Sequence, residues 1–370
     1  MNEDRLIKSA NYVRTELPVR IAHRLRDMQA LPYVVVTNEG VTKVYEMYWD
    51  AFERFRRFPP IESIKDNNKF CSFLTNILGD HNSVIPALSL GLSLSSPHLP
   101  PDQLDAFMRR MLISRISRRV LAEHHISLSQ HHNNTHNIEE KEPHVGIIFT
   151  GLDVRRSIMR CCELLKARPM DIEGLEPVQA RQWPEVIIEG HENISFSYIR
   201  EQLEYILFEL LKNAMHATAL HHRNSPTLPP ITATVAGGQN IISIRISDQG
   251  GGLWTPSNPI HRSSDLLSFS HVRNSMRLED SRLGGLRNAS SSPLGIRATI
   301  DEQLGRWQDR EVQKQAGIAP HQRIGIGLPM SNIYATYFGG SMELVSQDGW
   351  GTDVYVRLPK LGTNLEGIEV

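Results

Sequence analysis

A glutamate and an asparagine four residues apart are the first pair in this chain whose side chains could act together in chemistry. Glu209 and Asn213 fall in a segment, residues 198–222, whose apolar residues recur every three or four positions, which predicts a helix. On such a helix the two side chains lie roughly 40° apart, at one edge of the apolar face. The carboxylate can accept a proton, and the amide oxygen is a hard ligand that suits Mg²⁺. An ordinary polar pair at the edge of a helix would show the same spacing.

An aspartate followed by glycines stands at the end of a predicted strand. Asp248 comes just after the alternating segment Ile242–Ile246, and Gly250 and Gly252 follow it. Glycines permit a tight turn and let a ligand come close to the backbone. A carboxylate on such a turn can accept a hydrogen bond from the exocyclic amino group of adenine. A simple turn that ends a strand is the alternative interpretation.

Two further glycine motifs lie closer to the C-terminus. Gly325, Gly327 and Leu328 lead into a predicted helix that extends to Phe338. The unpaired backbone amides at the N-terminus of a helix favour a phosphate group. Thr352 follows a predicted turn, from which its hydroxyl could contact a ligand. Each of these two motifs is a weak signal when it is taken alone.

The order of the four motifs suggests one ligand for all of them. Their series resembles that of the GHKL ATPases, which bind ATP on the Bergerat fold. It consists of an E-x-x-x-N helix, a strand ending in D-x-G-x-G, a long polar segment, G-x-G before a helix and a final G-T strand. The segment between the second and third motifs, about residues 253–322, is interpreted as an ATP lid. The chain lacks the P-loop pattern and the H-R-D and D-F-G signatures, which excludes P-loop and ordinary protein-kinase mechanisms.

The elements that must position these motifs fall into two predicted domains. Residues 1–143 are predicted to form an antiparallel helical bundle, because apolar residues follow helical spacing in segments such as Val41–Phe55 and Phe70–Leu78. A further helix is predicted from Leu104 to Leu128. The polar stretch 130–143 is predicted to be a linker or exposed insertion. Its histidines, with His124 and His125, lack a defined metal-ligand spacing, so a solvated loop is the preferred interpretation.

The second predicted domain, residues 144–370, mixes strands with helices. The alternating segments Ile231–Val235 and Ile242–Ile246 predict one hairpin, and Met342–Val345 and Val354–Leu358 predict another. The predicted fold class is therefore α+β, with a helical bundle followed by a GHKL-type α/β sandwich whose sheet is largely antiparallel.

The composition of the chain indicates which kinds of binding partner and which kind of cellular compartment to expect. The chain of 370 residues is 40% hydrophobic and 22% charged, and its formal net charge of -1 gives no reason to expect nucleic acid or a membrane surface as a partner. It has no apolar run of about 18 residues, so no membrane span is predicted. Three cysteines without CxxC spacing predict neither a disulfide framework nor a zinc site, and they favour a reducing compartment. Residues 1–4 resemble neither a signal peptide nor a transit peptide.

Segments at both ends of the chain resemble the mitochondrial 2-oxo acid dehydrogenase kinases, which comprise the pyruvate dehydrogenase kinases and the branched-chain 2-oxo acid dehydrogenase kinase. The similar segments are residues 9–23 (SANYVRTELPVRIAH), Phe58–Ile61, Asp80–Pro86, Ser114–Ser117, Leu121–His125, Glu209–Met215 and Gly351–Val354. The resemblance implies that ATP and Mg²⁺ are used to phosphorylate a serine of the E1α subunit in the mitochondrial matrix, which inactivates the complex. It also implies a homodimer and, as a second partner, the lipoyl domain of the E2 core.

The resemblance also implies a role for each motif residue. These roles are a general base for Glu209, a Mg²⁺ ligand for Asn213, the adenine contact for Asp248, the lining of the adenine pocket for Gly250 and Gly252, the phosphate cradle for Gly325, Gly327 and Leu328, and support of the adenine end for Thr352. Lys212 is a candidate for additional charge compensation, but a solvated lysine is the preferred interpretation.

Some residues depart from the family pattern and leave alternatives open. Arg323 stands where the first glycine of a G-x-G-x-G lid ending is usual, and His216 stands where relatives usually have arginine. Tyr205 resembles the branched-chain enzyme, whereas Asp80–Pro86 looks more like the pyruvate type. Pyruvate dehydrogenase is the preferred substrate, and the branched-chain complex is the alternative.

Two other classes of protein compete with this interpretation. A bacterial-type sensor histidine kinase needs an H-E-x-x-x-P pattern, which His124-His125-Ile126 lacks. A non-catalytic regulator that binds ATP is supported only by Arg323 and His216.

Overall fold

The structure is a computed structural model, and it describes residues 2–95, 98–133, 142–167, 183–191, 193–253, 267, 269 and 326–362. These residues belong to two compact units, one ending at Phe149 and the other beginning at Thr150. Both helices and sheets are present, which confirms the predicted α+β class. Over the described ranges, no helix combines the length and the apolar character that crossing a bilayer would require.

The first unit is a set of packed helices. Helix α1 packs against three others, α3, α4 and α6, and α3 also packs against α5. Side-chain caps mark two of the helix starts, because Ser63 accepts a hydrogen bond from the backbone N–H of Asp66 and Asn38 accepts one from Gly40. The helices are α1 (Glu3–Gln29), α2 (Tyr33–Val36), α3 (Glu39–Arg57), α4 (Ile64–Asp80), α5 (Val84–Leu94) and α6 (Pro101–Asn133), with a 3₁₀ turn at His81–Ser83 between α4 and α5.

Helix α6 is longer than its apolar periodicity predicted. The predicted helix ended at Leu128, but the observed one continues to Asn133, so residues 130–133 of the predicted linker form its last turn. Apolar spacing reports which side of a helix is buried, whereas the helix itself ends where its backbone hydrogen bonds end. Residues 134–141 of that linker lie outside the described residues.

A buried hydrogen-bond network joins α1, α4 and α6. The Nε2–H of His125, which is 1% exposed, donates to Asn67 Oδ1 at 2.9 Å, and its Nδ1 accepts from the hydroxyl of Ser9 at 3.0 Å. The Asn67 amide donates to Ser129 Oγ at 3.1 Å. His125 is therefore a hydrogen-bonded core residue. Within the described part of the chain, no group of three or more His, Cys, Asp or Glu side chains could hold a metal ion.

Burial of His125 makes the stability of the first unit depend on pH. Burial lowers the pKa of this imidazole from 6.5 to about 4. The unfolded chain therefore takes up a proton near pH 6.5 while the folded chain does not, so the stability present above pH 6.5 is lost as the pH falls towards 4. Between pH 7 and pH 5, the His125 imidazole should lower the unfolding free energy of the wild type by about 2 kcal/mol. The His125→Gln protein should lack this part of the decrease.

Urea unfolding of both proteins at the two pH values measures this difference. His23→Gln, at an exposed position on α1, is the control and should leave the pH dependence unchanged. Equal pH dependence in the wild type and the His125→Gln protein would show that another group is responsible.

The second unit is built around a five-stranded sheet. Its order is β3-β5-β6-β8-β7, with β3 and β5 parallel and the other pairs antiparallel, so the predicted hairpins and the largely antiparallel sheet are confirmed. A smaller sheet has the order β1-β2-β4. The elements that follow α6 along the chain are β1 (His144–Val145), β2 (Ile148–Asp153), α7 (Val154–Lys166), β3 (Val186–Gly190), β4 (Ser195–Ile199), α8 (Arg200–His221), β5 (Ile231–Gly237), β6 (Ile241–Ser247), α9 (Gly327–Tyr337), β7 (Ser341–Gln347) and β8 (Gly351–Pro359), of which β1 and the first two residues of β2 precede the second unit.

Helices cover one face of this sheet. Side chains alternate along β6 and β8, so that Ile244 and Ile246 are buried opposite Val356 and Val354. Helix α8 packs against β6, and α9 packs against β7 and β8. The unit is therefore a two-layer sandwich of helices on a sheet.

Helix α8 differs from its prediction in two ways. It begins at Arg200, because Tyr198, where the prediction began, belongs to β4. The prediction also gave α8 a single apolar face, yet its side chains are buried around almost the whole circumference. The cause is that α7, α9 and the sheet all contact this helix.

Candidate functional site

The first motif places a buried ion pair in the middle of α8. Glu209 is 5% exposed, and its Oε1 lies 2.7 Å from Nζ of Lys212. The Lys212 side chain is 12% exposed, and its ammonium group lies 5.3 Å from the ring centre of Phe208. The interpretation of Lys212 as a solvated lysine is therefore wrong. A buried carboxylate needs a partner of this kind, because burial otherwise disfavours its charge.

The third motif meets this pair through a glycine. Gly327 is the first residue of α9, and a Cβ atom placed on it would lie 2.0 Å from Glu209 Oε2. A side chain at this position would force either the Glu209 carboxylate or the start of α9 to move. The fold thus brings together two motifs that are far apart in sequence.

The start of α9 has the features of an anion-binding helix end. Its N-cap is Ile326, which provides no side-chain hydrogen bond, and its first turn contains no acidic residue. The amides of Gly327 and Leu328 belong to the first turn, where backbone N–H groups have no partner within the helix. Pro329 stands in that first turn, as expected. Gly325 and Arg323 lie outside the described residues, as does almost all of the predicted lid.

The second and fourth motifs are joined by the carboxylate of Asp248. Its Oδ1 accepts the backbone N–H groups of Gly250 at 2.8 Å and of Thr352 at 3.2 Å. The backbone N–H of Asp248 donates in turn to the carbonyl of Thr352 at 3.0 Å. Both residues are buried, and burial raises the pKa of the Asp248 carboxyl, while the two backbone hydrogen bonds act in the opposite direction.

The glycine turn after Asp248 is held from two sides. Gly251 and Gly252 have φ values of 81° and 83°, which few residues other than glycine adopt. The N–H of Gly251 donates to the carbonyl of Trp350 at 3.0 Å, which ties the turn to the β7–β8 connection. On the other side, Nε2–H of His222 donates to the carbonyl of Gln249 at 2.9 Å. Sequence reasoning missed His222, and only its place at the end of α8 could have indicated it.

A row of residues on α8 connects the two clusters. Glu209, Asn213 and Ala217 are spaced four residues apart, so they follow one another along the same face of the helix. Glu209 lies against Gly327, and a Cβ on Gly250 would lie 2.5 Å from the Cβ of Ala217. The half-buried Asn213 stands between them. With a rise of about 1.5 Å per residue, the row spans about 12 Å from the start of α9 to the Asp248 turn.

Another buried acid on α8 belongs to a different side of the helix. Glu204 is 2% exposed, and burial raises its pKa to about 7, partly offset by Arg160 and Arg200. A perturbed pKa often marks a functional group. However, Glu204 is bonded to Arg160 of α7 at 3.3 Å, whereas the row that contains Glu209 faces Gly327 of α9. Geometry therefore excludes Glu204 from the candidate site.

Comparison with known proteins finds dehydrogenase kinases. Residues 1–149 match the family model described as mitochondrial branched-chain alpha-ketoacid dehydrogenase kinase. The chain is 30% identical, over 98% of its length and 78% of the relative's, to [pyruvate dehydrogenase (acetyl-transferring)] kinase 2, mitochondrial, of Saccharomyces cerevisiae. It is also 30% identical, over 98% of its length and 88% of the relative's, to the corresponding mitochondrial kinase of Arabidopsis thaliana. It is 28% identical, over 95% of its length and 76% of the relative's, to [pyruvate dehydrogenase (acetyl-transferring)] kinase isozyme 4, mitochondrial, of Mus musculus.

Proposed function

This chain belongs to the family of the mitochondrial 2-oxo acid dehydrogenase kinases, and we propose that it transfers the γ-phosphate of ATP to a serine of the E1α subunit of pyruvate dehydrogenase. Phosphorylation of that serine inactivates the complex. The names of the relatives that match over nearly the whole chain support pyruvate dehydrogenase as the substrate. In this proposal the protein is a homodimer of the mitochondrial matrix that also binds the lipoyl domain of the E2 core.

The observation that carries the proposal is the row of Glu209, Asn213 and Ala217 on α8, which connects the start of α9 with the Asp248 turn. We assign the second unit to the GHKL (Bergerat) fold, with adenine at Asp248 and the phosphates at the start of α9. This orientation puts the last phosphate nearest to Glu209, because Glu209 lies against Gly327. Asn213 then faces the middle of the nucleotide.

The adenine end of the proposed site relies on a carboxylate that the fold already orients. Asp248 Oδ1 holds two backbone N–H groups, and an ionised carboxylate has about four acceptor positions. The exocyclic amino group of adenine would donate to one of the other positions. Gly250 and Gly252 let the base approach the backbone, and Thr352 supports the carboxylate from β8.

The transfer step assigns one task to each residue at the phosphate end. Glu209 accepts the proton of the serine hydroxyl while the serine oxygen bonds to the γ-phosphorus, and the bond from that phosphorus to the β–γ bridging oxygen breaks to release ADP. The backbone amides of Gly327 and Leu328 hold the phosphate oxygens. Gly325, the remaining residue proposed for this cradle, is assigned to it from the motif alone.

Asn213 fits the requirements of a Mg²⁺ ligand. Mg²⁺ in nucleotide sites takes one or two oxygens from the protein and completes its shell with phosphates and water. The amide oxygen of Asn213 is a ligand of this kind, at a half-buried position in the middle of the row. Bound Mg²⁺ would neutralise charge on the phosphates during transfer.

Labelled ATP and purified E1 proteins test the proposed function. We expect the chain to label a serine of the pyruvate dehydrogenase E1α subunit and to reduce the activity of that complex. Branched-chain E1 is the comparison substrate, and preferential labelling of it would contradict the proposed substrate. Phosphate on a histidine of the chain itself, or no transfer to either E1, would contradict the proposed activity.

Asp248→Ala is expected to weaken ATP binding about 10- to 100-fold, because a hydrogen bond to a charged group contributes about 1.5–3 kcal/mol. Titration calorimetry measures the affinity. The control is Glu343→Ala, which removes an exposed carboxylate 4.0 Å from Arg357 on the same sheet. Unchanged affinity in a folded Asp248→Ala protein would place adenine elsewhere.

A further inference from the structure

We propose that Lys212 is a positioning residue for the general base: its ammonium group holds one oxygen of Glu209, so that the other oxygen faces the place where serine and γ-phosphate meet. This inference rests on the proposed function. In this inference Lys212 pairs with the Glu209 carboxylate and does not bind the nucleotide.

The two oxygens of Glu209 have different neighbours. Oε1 lies 2.7 Å from the ammonium nitrogen of Lys212. Oε2 is the atom of Glu209 nearest to a Cβ placed on Gly327, at 2.0 Å, and the carboxyl carbon would follow at 2.8 Å. With Oε1 paired to Lys212, Oε2 is the oxygen that lies against the first residue of α9.

The surroundings of Lys212 restrict where its ammonium group can go. Its side chain is 12% exposed, and the ammonium group lies 5.3 Å from the ring centre of Phe208. Contact with an aromatic face attracts a cation, and burial reduces the number of alternative rotamers. Lys212 and Glu209 are three residues apart on α8, where side chains at positions i and i+3 are neighbours.

The start of α9 makes this restraint necessary. The N-terminus of a helix attracts negative charge, and Gly327 puts no side chain between that end and Glu209. A carboxylate without the lysine would move towards the amides that the phosphate has to occupy. Lys212 opposes that movement and also offsets the repulsion between Glu209 and the incoming γ-phosphate.

A double-mutant cycle tests the inference. The four proteins are the wild type, Lys212→Met, Glu209→Gln and the double mutant, compared by single-turnover phosphorylation of E1α and by ATP affinity. We expect Lys212→Met to lower the rate about 10- to 100-fold with ATP affinity changed by less than about threefold. In the Glu209→Gln background the same substitution should change the rate by less than about threefold, because the carboxylate it orients is gone.

Other variants exclude a general loss of folding. Lys212→Arg keeps the charge and should restore part of the rate, which a loss of packing would not explain. Lys166→Met, at an exposed lysine that ends α7, should behave as the wild type. Circular dichroism melting checks that each protein is folded.

Two results would overturn the role given to Lys212. One is an equal loss of rate in both backgrounds. The other is a loss of ATP affinity of tenfold or more in Lys212→Met, which would assign the lysine to the phosphates. Neither result would contradict the kinase activity proposed for the wild-type chain. A wild-type chain that transfers no phosphate to E1α would instead overturn the proposed function, and the role of Lys212 with it.

Discussion

The Glu209→Gln protein is expected to bind ATP within a few-fold of the wild-type affinity but to phosphorylate E1α roughly 10²–10⁴-fold more slowly. Glutamine has nearly the same shape as glutamate, so the contact with Gly327 at the start of α9 is kept. It cannot accept the proton of the serine hydroxyl. The loss should therefore fall on the rate of transfer and not on binding, and single-turnover kinetics together with calorimetry separate the two quantities.

A second carboxylate in the same unit provides the control for this substitution. Glu343 lies on β7 with its side chain 62% exposed and 4.0 Å from Arg357. Glu343→Gln should leave both the rate and the ATP affinity unchanged. Near-normal phosphorylation by the Glu209→Gln protein would remove the role of general base from Glu209, and it would leave the assignment of the ATP site untouched.

Gly327→Ala is expected to lower the rate of phosphorylation by about 10²-fold or more, although it adds only one methyl group. That methyl group would stand 2.0 Å from Oε2 of Glu209 and 2.8 Å from its carboxyl carbon. Either the carboxylate turns away from Lys212 or the first turn of α9 shifts, and both changes displace a group that the transfer needs. The free energy of unfolding should fall by about 1–3 kcal/mol, which is typical of overpacking.

The same substitution at an open position is the matched control. A Cβ on Gly151 in β2 would have no other atom within 4 Å, so Gly151→Ala should leave the kinetics unchanged. Gly327→Ala activity close to that of the wild type would mean that Glu209 and α9 do not need this spacing for catalysis. It would also contradict the position given to the γ-phosphate.

Short-range patterns in the sequence were enough to predict much of the fold. The alternating segments Ile231–Val235 and Ile242–Ile246 predict the hairpin that the structure shows as β5 and β6, and Met342–Val345 and Val354–Leu358 predict the hairpin of β7 and β8. The helical spacing of Phe70–Leu78 likewise predicted the helix that the structure shows as α4. Patterns of this kind depend on the geometry of a few neighbouring residues, so no knowledge of distant parts of the chain is needed.

The same local patterns misjudged two helices. Helix α8 was predicted with one apolar face, but packing by α7, α9 and the sheet buries it almost completely. Helix α6 continues through residues 130–133 after its apolar spacing has ended. In both cases the decisive contacts or backbone hydrogen bonds leave no mark on apolar periodicity.

By itself, the sequence determined the family and the order of the candidate residues, because Glu209, Asn213, Asp248 and Gly327 belong to short motifs whose residue types and spacing can be read directly. Only the tertiary structure decided which of them meet. It placed Gly327 against one oxygen of Glu209 and Lys212 against the other, and it tied Asp248 to Thr352. The contacts of Gly327 with Glu209 and of Asp248 with Thr352 join residues on separate elements. The contact of Lys212 with Glu209 depends on the rotamers that the two side chains adopt in the packed structure. They arise when helices and sheet pack around a common core, which no local spacing specifies.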